Sequence, residues 1–216
     1  MNYNLVELLS YSIAIPALLG LVRFNKVDRA FIPFLILLWV GLSNEIINTI
    51  VISSGNSNAI NSNIYILAES FLIVLFFKNL NLFGHSRRVL YFIVSALLIL
   101  WISEIFIISS IRRFSSYFTI TTSFVYVLMS ISMINRLIVG EIKTLIRNPV
   151  FLICIGVVMF FTYALLVEIF WFYGLNSSRE FRIQVYRIMT YINLAVNLIY
   201  TLAVLWIPKK REYTLL

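Results

Sequence analysis

Apolar residues run along this chain in long blocks, separated by short clusters of Lys, Arg, Asn, Ser and Gly. A bilayer core about 30 Å thick takes about 20 apolar residues in helical form. Seven blocks meet that length: 4–22, 30–53, 62–80, 88–109, 115–139, 149–174 and 183–207. The pattern predicts an all-α integral membrane protein, a seven-transmembrane-helix bundle forming one domain over residues 1–216. The fifth and seventh blocks are the most polar. In "TITTSFVYVLMSISM" the hydroxyls can bond back to the preceding helical turn, so the block still reads as a span. The connections are short and leave little chain for a soluble domain.

Composition agrees with this pattern. The chain is 61% hydrophobic and 12% charged, against about 45–50% and about 25% in a soluble domain. Its net charge of +8 would suggest nucleic acid in a soluble protein. Here the basic residues lie between apolar blocks, so the expected partner is the lipid bilayer and no nucleic acid is expected. Counted on alternate sides, twelve Lys and Arg face one side and five face the other. The richer side is placed in the cytoplasm, which puts the N-terminus outside and the C-terminal "PKKREYTLL" inside. Tyr117, Trp171, Tyr173 and Trp206, near span ends, read as interface anchors. "MNYNLVELLS" lacks the positive start of a secretory signal, so the first block is expected to remain as a helix. That, with high Asn and Ile content, points to a multi-pass protein of a bacterial inner membrane. "NSS", Asn176 to Ser178, fits a glycosylation acceptor but would carry no meaning there.

The single Cys154 and single His85 exclude an intrachain disulfide and make a zinc hydrolase untenable, since such a site needs three protein ligands. No motif implies a metal or a cofactor.

The informative residues are carboxylates inside the apolar blocks. "GLSNEIIN" puts Glu45 roughly 12 Å from the outer end of its helix, and Glu69 lies at a similar depth. Glu104 and Glu168 lie roughly 8–9 Å down, and Glu7 is shallower. All five fall in the outer half. The plainer account, a side chain reaching headgroup water, suits Glu7 and works poorly for Glu45 and Glu69. Carboxylates at that depth face a bundle interior or a water-filled cavity. Asn48 shares a face with Glu45, and Tyr65 shares one with Glu69. Asn44, about 100° from Glu45 around the helix, is placed to bond a neighbouring helix. In the seventh block Tyr186, Thr190, Asn193, Asn197 and Tyr200 make one polar stripe at helical spacing. Such a stripe turns inward in lipid, either to bond helices together or to line a cavity. Arg187 is the only basic residue at comparable depth, and is expected to face the carboxylates. It can neutralise one or two of them; the rest need a proton, solvent or a cationic ligand. The expected binding set is therefore Glu45, Asn48, Tyr65, Glu69, Glu104, Glu168, Tyr186, Arg187, Thr190, Asn193 and Asn197.

Seven helices with the N-terminus outside resemble two known classes. The topology is similar to that of G-protein-coupled receptors and rhodopsins. "NLIY", Asn197 to Tyr200, resembles the receptor Asn-Pro-x-x-Tyr motif without its Pro. The lysine that carries retinal has no counterpart in "YINLAVNLIYTLAVLW". The topology also resembles the three-plus-one-plus-three arrangement of SWEET and PQ-loop transporters. "RAFIPFLILL" and "RNPVFLICI" open the second and sixth helices alike, although no Pro-Gln pair occurs. Pro16 resembles the prolines that kink transporter helices. Both likenesses extend over the whole chain at the level of topology and rest on no specific motif.

Four functions follow as expectations. The first is a sensor or accessory subunit that binds a small-molecule ligand in an outward-facing polar cavity. Its inner loops are short, so it would signal through a cytoplasmic or membrane partner. The second is a small-solute transporter, proton-coupled or not, whose path would continue through Ser130, Ser132 and Asn135. The third, a lipid-active enzyme using paired carboxylates, has no nucleophile elbow or His–Glu pair behind it. The fourth is a structural or assembly subunit.

Overall fold

In a computed structural model, residues 9–84, 86–140, 145–173 and 178–209 are described. Of the positions singled out above, Glu7, His85, Asn176 and the basic residues Lys143, Lys210 and Arg211 lie outside them. Among the described residues there is no strand, only one isolated bridge between Val27 and Lys209.

The helices are α1 (Ala14–Arg23), α2 (Ile32–Ser53), α3 (Ala59–Asn79), α4 (Arg87–Ser103), α5 (Ser116–Val139), α6 (Pro149–Tyr173) and α7 (Arg179–Trp206). A wide π turn, Glu104–Ile108, continues α4. Among the described residues, six segments are long and apolar enough to cross a membrane: Arg29–Ser53, Ala59–Asn79, Arg88–Ile108, Ser116–Val139, Pro149–Trp171 and Arg179–Trp206. The chain is a multi-pass membrane protein by this measure. The first block contributes a 3-10 turn, Tyr11–Ile13, and the ten-residue α1, which is about 15 Å long. Pro16 falls near the start of α1, just after the 3-10 turn Tyr11–Ile13.

Helix starts follow local chemistry. Pro33 and Pro149 occupy first-turn positions of α2 and α6, where a fixed φ is already helical. Asn148 Oδ1 accepts from the Val150 and Phe151 amides at 2.9 and 3.3 Å and caps α6. Ser178 caps α7 by accepting from the Phe181 amide, which starts that helix four residues before its apolar block. At the end of α2, Gly55 takes a left-handed φ of +77°. Its neighbour's amide, at Asn56, returns to the Val51 carbonyl at 3.1 Å, the closure that favours glycine at this place.

The helices form a ring. α1 packs on α2, α2 on α3, α3 on α5, α5 on α6, α6 on α7, and α7 returns to α1. α4 stands outside, against α3 and α5. One end of the ring holds the Lys- and Arg-rich connections, and its interior there is a packed apolar core. Phe34 lies 5.8 Å from Phe76 and 5.2 Å from Tyr200, ring centre to ring centre. Phe31, Phe77, Ile153, Ala203, Val204 and Ile207 are buried with them. The same end is tied together by backbone bonds. Arg23 donates to the Leu205 carbonyl and, at 3.0 Å, to that of Ile207. The Asp28 amide donates to Pro208 at 3.1 Å, and Arg136 donates to the Asn81 carbonyl at 2.7 Å.

Candidate ligand-binding cavity

From mid-bundle toward the opposite end, the ring encloses a cavity of about 340 Å³. Residues from α2, α3, α5, α6 and α7 line it, together with Ser10 and Ile13 just before α1; α4 contributes nothing. Most of the wall is apolar, with Leu37, Ile66, Val157, Phe160, Phe161 and Met189 prominent.

Three carboxylates interrupt this wall: Glu45, Glu69 and Glu168. Glu69 is buried on α3, and Tyr65, one turn before it, donates its hydroxyl to Oε1 at 2.7 Å. The spacing of four residues stacks the two side chains on one helix face. Tyr65 is within electrostatic reach of both Glu69 and Glu45, and Tyr200 of Glu69. Ser10 lies beside Glu45 of α2. Ser116 lies beside Glu168 of α6, whose Oε2 is buried and unpartnered. No Lys, Arg or His is among the lining residues.

Seven of the eleven expected residues line this cavity: Glu45, Tyr65, Glu69, Glu168, Tyr186, Asn193 and Asn197. The α7 stripe both lines and binds. Asn197 Nδ2 donates to Ser12 Oγ at 2.8 Å and to Asn193 Oδ1 at 3.3 Å, joining α7 to the turn before α1. Thr190 is not among the lining residues; its hydroxyl donates back to the Tyr186 carbonyl at 2.9 Å.

The other three stand elsewhere. Asn48 does not join Glu45: its Oδ1 accepts from Asn61 at 2.8 Å, and Asn44 Oδ1 accepts from the same amide at 2.8 Å. Asn44 thus bonds a neighbouring helix as expected, and it also lines the cavity. Glu104 is buried but caps α5. Its two oxygens accept from the Tyr117 and Phe118 amides at 3.0 and 2.6 Å. A carboxylate at a helix N-terminus satisfies orphan donors and meets the positive end of the dipole. Arg187 lies on the exposed face of α7, outside the lining. A spacing argument gave its depth but not its side of the helix.

Several lining residues lay outside the expected set. Tyr200 closes the floor, and its ring fits only because Gly156 faces it; a Cβ at Gly156 would sit 2.4 Å from Tyr200 Cε1. Ser123 on α5 is fully buried with an unpartnered hydroxyl. Most α5 hydroxyls bond back along the helix, including those of Thr119, Thr121 and Thr122 at 2.8–2.9 Å. Ser123, Tyr126 and Ser130 are buried and do not. Thr122 and Ser70 lie close to the Tyr126 hydroxyl, but none stands at hydrogen-bond geometry to it. Their offsets of 0, 3 and 7 were the available sign that these three share one face.

No family model, no curated protein and no solved structure matches the chain.

Proposed function

We propose that this chain is a seven-span membrane protein of a bacterial inner membrane, N-terminus outside, that binds a small molecule in the cavity. In this reading it serves as a sensor or accessory subunit, and its basic cytoplasmic end reports occupancy to a signalling partner. The observation that carries the reading is a carboxylate-bearing cavity within the helix ring, above a packed apolar half. Its volume of about 340 Å³ is within the usual range for small-molecule sites, about 300–1,000 Å³. The fastening of α1 to α7 at the basic end favours a binder over a transporter that must open there. The test is thermal unfolding of the full chain in neutral detergent against a chemically mixed set of small molecules. At least one class should raise the Tm; a flat response across the set sinks the reading.

One observation favours transport as a second reading. The unpaired hydroxyls of Ser123, Tyr126 and Ser130 run from the cavity toward the basic end along α5. Ser132 and Asn135, the other expected path residues, are exposed and add nothing to it. Solute flux into proteoliposomes, with and without a pH gradient, separates the two: a sensor gives none.

A further inference from the structure

We propose that the cavity takes an organic cation, an ammonium group on an aromatic or aliphatic body. The inference rests on the binding reading above and names its ligand class. Three carboxylates share one apolar enclosure, and no basic residue is among its lining residues. Tyr65 donates to Glu69 at 2.7 Å, and both line the cavity with Glu45 and Tyr200. An ammonium between these carboxylates gains charge-assisted hydrogen bonds, which are stronger than neutral ones. Tyr65, Tyr186 and Tyr200 are among the lining residues, and aromatic rings attract cations. Phe160 and Phe161 offer the apolar body a wall. Two further groups ask for a partner: the fully buried Ser123 hydroxyl in the lining, and Glu168 Oε2. Ser123 can accept from an ammonium N–H, and so can Glu168. An anion would have to enter beside three carboxyl groups, and a neutral body of the same shape would gain no charge-assisted bond from them.

The experiment compares molecules of one shape and different charge on the full-length protein in neutral detergent. Benzylamine and phenethylamine, both protonated, are the cations, 2-phenylethanol is the neutral analogue and 3-phenylpropanoate the anion. The cations are expected to raise the Tm by several degrees at millimolar concentration, and the other two to leave it unchanged. Glu69→Gln keeps an acceptor for Tyr65, and is expected to raise the half-saturating cation concentration about tenfold or more. Glu45→Gln, on a different helix, is expected to do the same, while Glu180→Gln at the exposed start of α7 changes nothing. Equal shifts from 2-phenylethanol overturn the inference, as do unchanged cation responses in both carboxylate variants. Stabilisation by the neutral or anionic molecule alone also overturns it, but leaves small-molecule binding standing. If neither these molecules nor the mixed set shifts the Tm, both proposals fall.

Discussion

At Asn63 a single buried amide organises the end of the bundle opposite the basic residues. Its Nδ2 donates to the Ile111 and Arg113 carbonyls at 2.9 and 2.7 Å, and its Oδ1 accepts from the Ser115 amide at 3.1 Å. Its carbonyl accepts from the Trp101 indole at 3.1 Å. One side chain on α3 thus supplies partners to three backbone groups of the turn between α4 and α5. Asn63→Ala leaves those groups buried and unpaired, and should destabilise the protein by about 2–3 kcal/mol. Asn61→Ala removes only bonds to Asn44 and Asn48 and should cost about 0.6 kcal/mol, typical of an interhelical pair in a membrane. Equilibrium unfolding in detergent compares the two, and equal losses would contradict this division. Glu104 calls for a separate measurement. Glu104→Ala should cost about 1 kcal/mol through the lost cap on α5 while leaving any ligand-induced Tm shift intact. A lost ligand response would return Glu104 to the binding set.

At the scale of elements, the floor of the cavity depends on how closely α6 and α7 approach. Gly156 admits the Tyr200 ring, with three ring atoms within 3.1 Å of where a Cβ would stand. On its other side the ring meets Phe34 edge-on, so it has no room to retreat except upward into the cavity. Gly156→Ala should therefore cost about 1–3 kcal/mol from overpacking and weaken ligand stabilisation as well. Replacing Tyr200 by Leu should relieve most of that penalty, so the double variant should be more stable than the two single losses add up to. Strict additivity would show that the two positions do not press on each other.

At the scale of the whole molecule, orientation is open to direct measurement. Cys154 is the only cysteine and is buried, so Cys154→Ala gives a background without thiols. In that background, cysteines at the exposed positions Ser57 and Ser86 report on opposite ends. A membrane-impermeant maleimide should label position 57 in intact cells and position 86 only after permeabilisation. The reverse pattern would invert the topology and place the cavity on the cytoplasmic side. Span positions were legible in the sequence because length and hydropathy mark a helix crossing lipid. The ends of α2, α5 and α6 fall within two residues of the blocks read from composition. α3 and α7 begin earlier than their apolar blocks, because the helices run through Asn61 and through the charged start of α7, which are not apolar. The order of the ring was not legible. Lipid is as apolar as a protein core, so a helix such as α4 shows no stripe that says which face is inside. For the same reason the sequence located Glu45, Glu69 and Glu168 in depth, but could not tell that Glu104 would turn to a helix end. Asn63 stayed hidden because a run of Ser and Asn reads as loop.

The ring closes between α1 and α7, the described helices farthest apart in the sequence. Four of the six neighbour pairs around it are also neighbours in the chain, and such contacts can form as each helix arrives. The α1–α7 contact is different, because α1 must wait through the synthesis of nearly the entire chain for its second wall. A ribosome adds about 5–20 residues per second, so that wait is on the order of ten seconds or more. During it, the apolar side of the short first helix rests against lipid, and Arg23 lacks the carbonyls it later grips. The cavity therefore comes into existence in a single late step, when the last helix enters and locks.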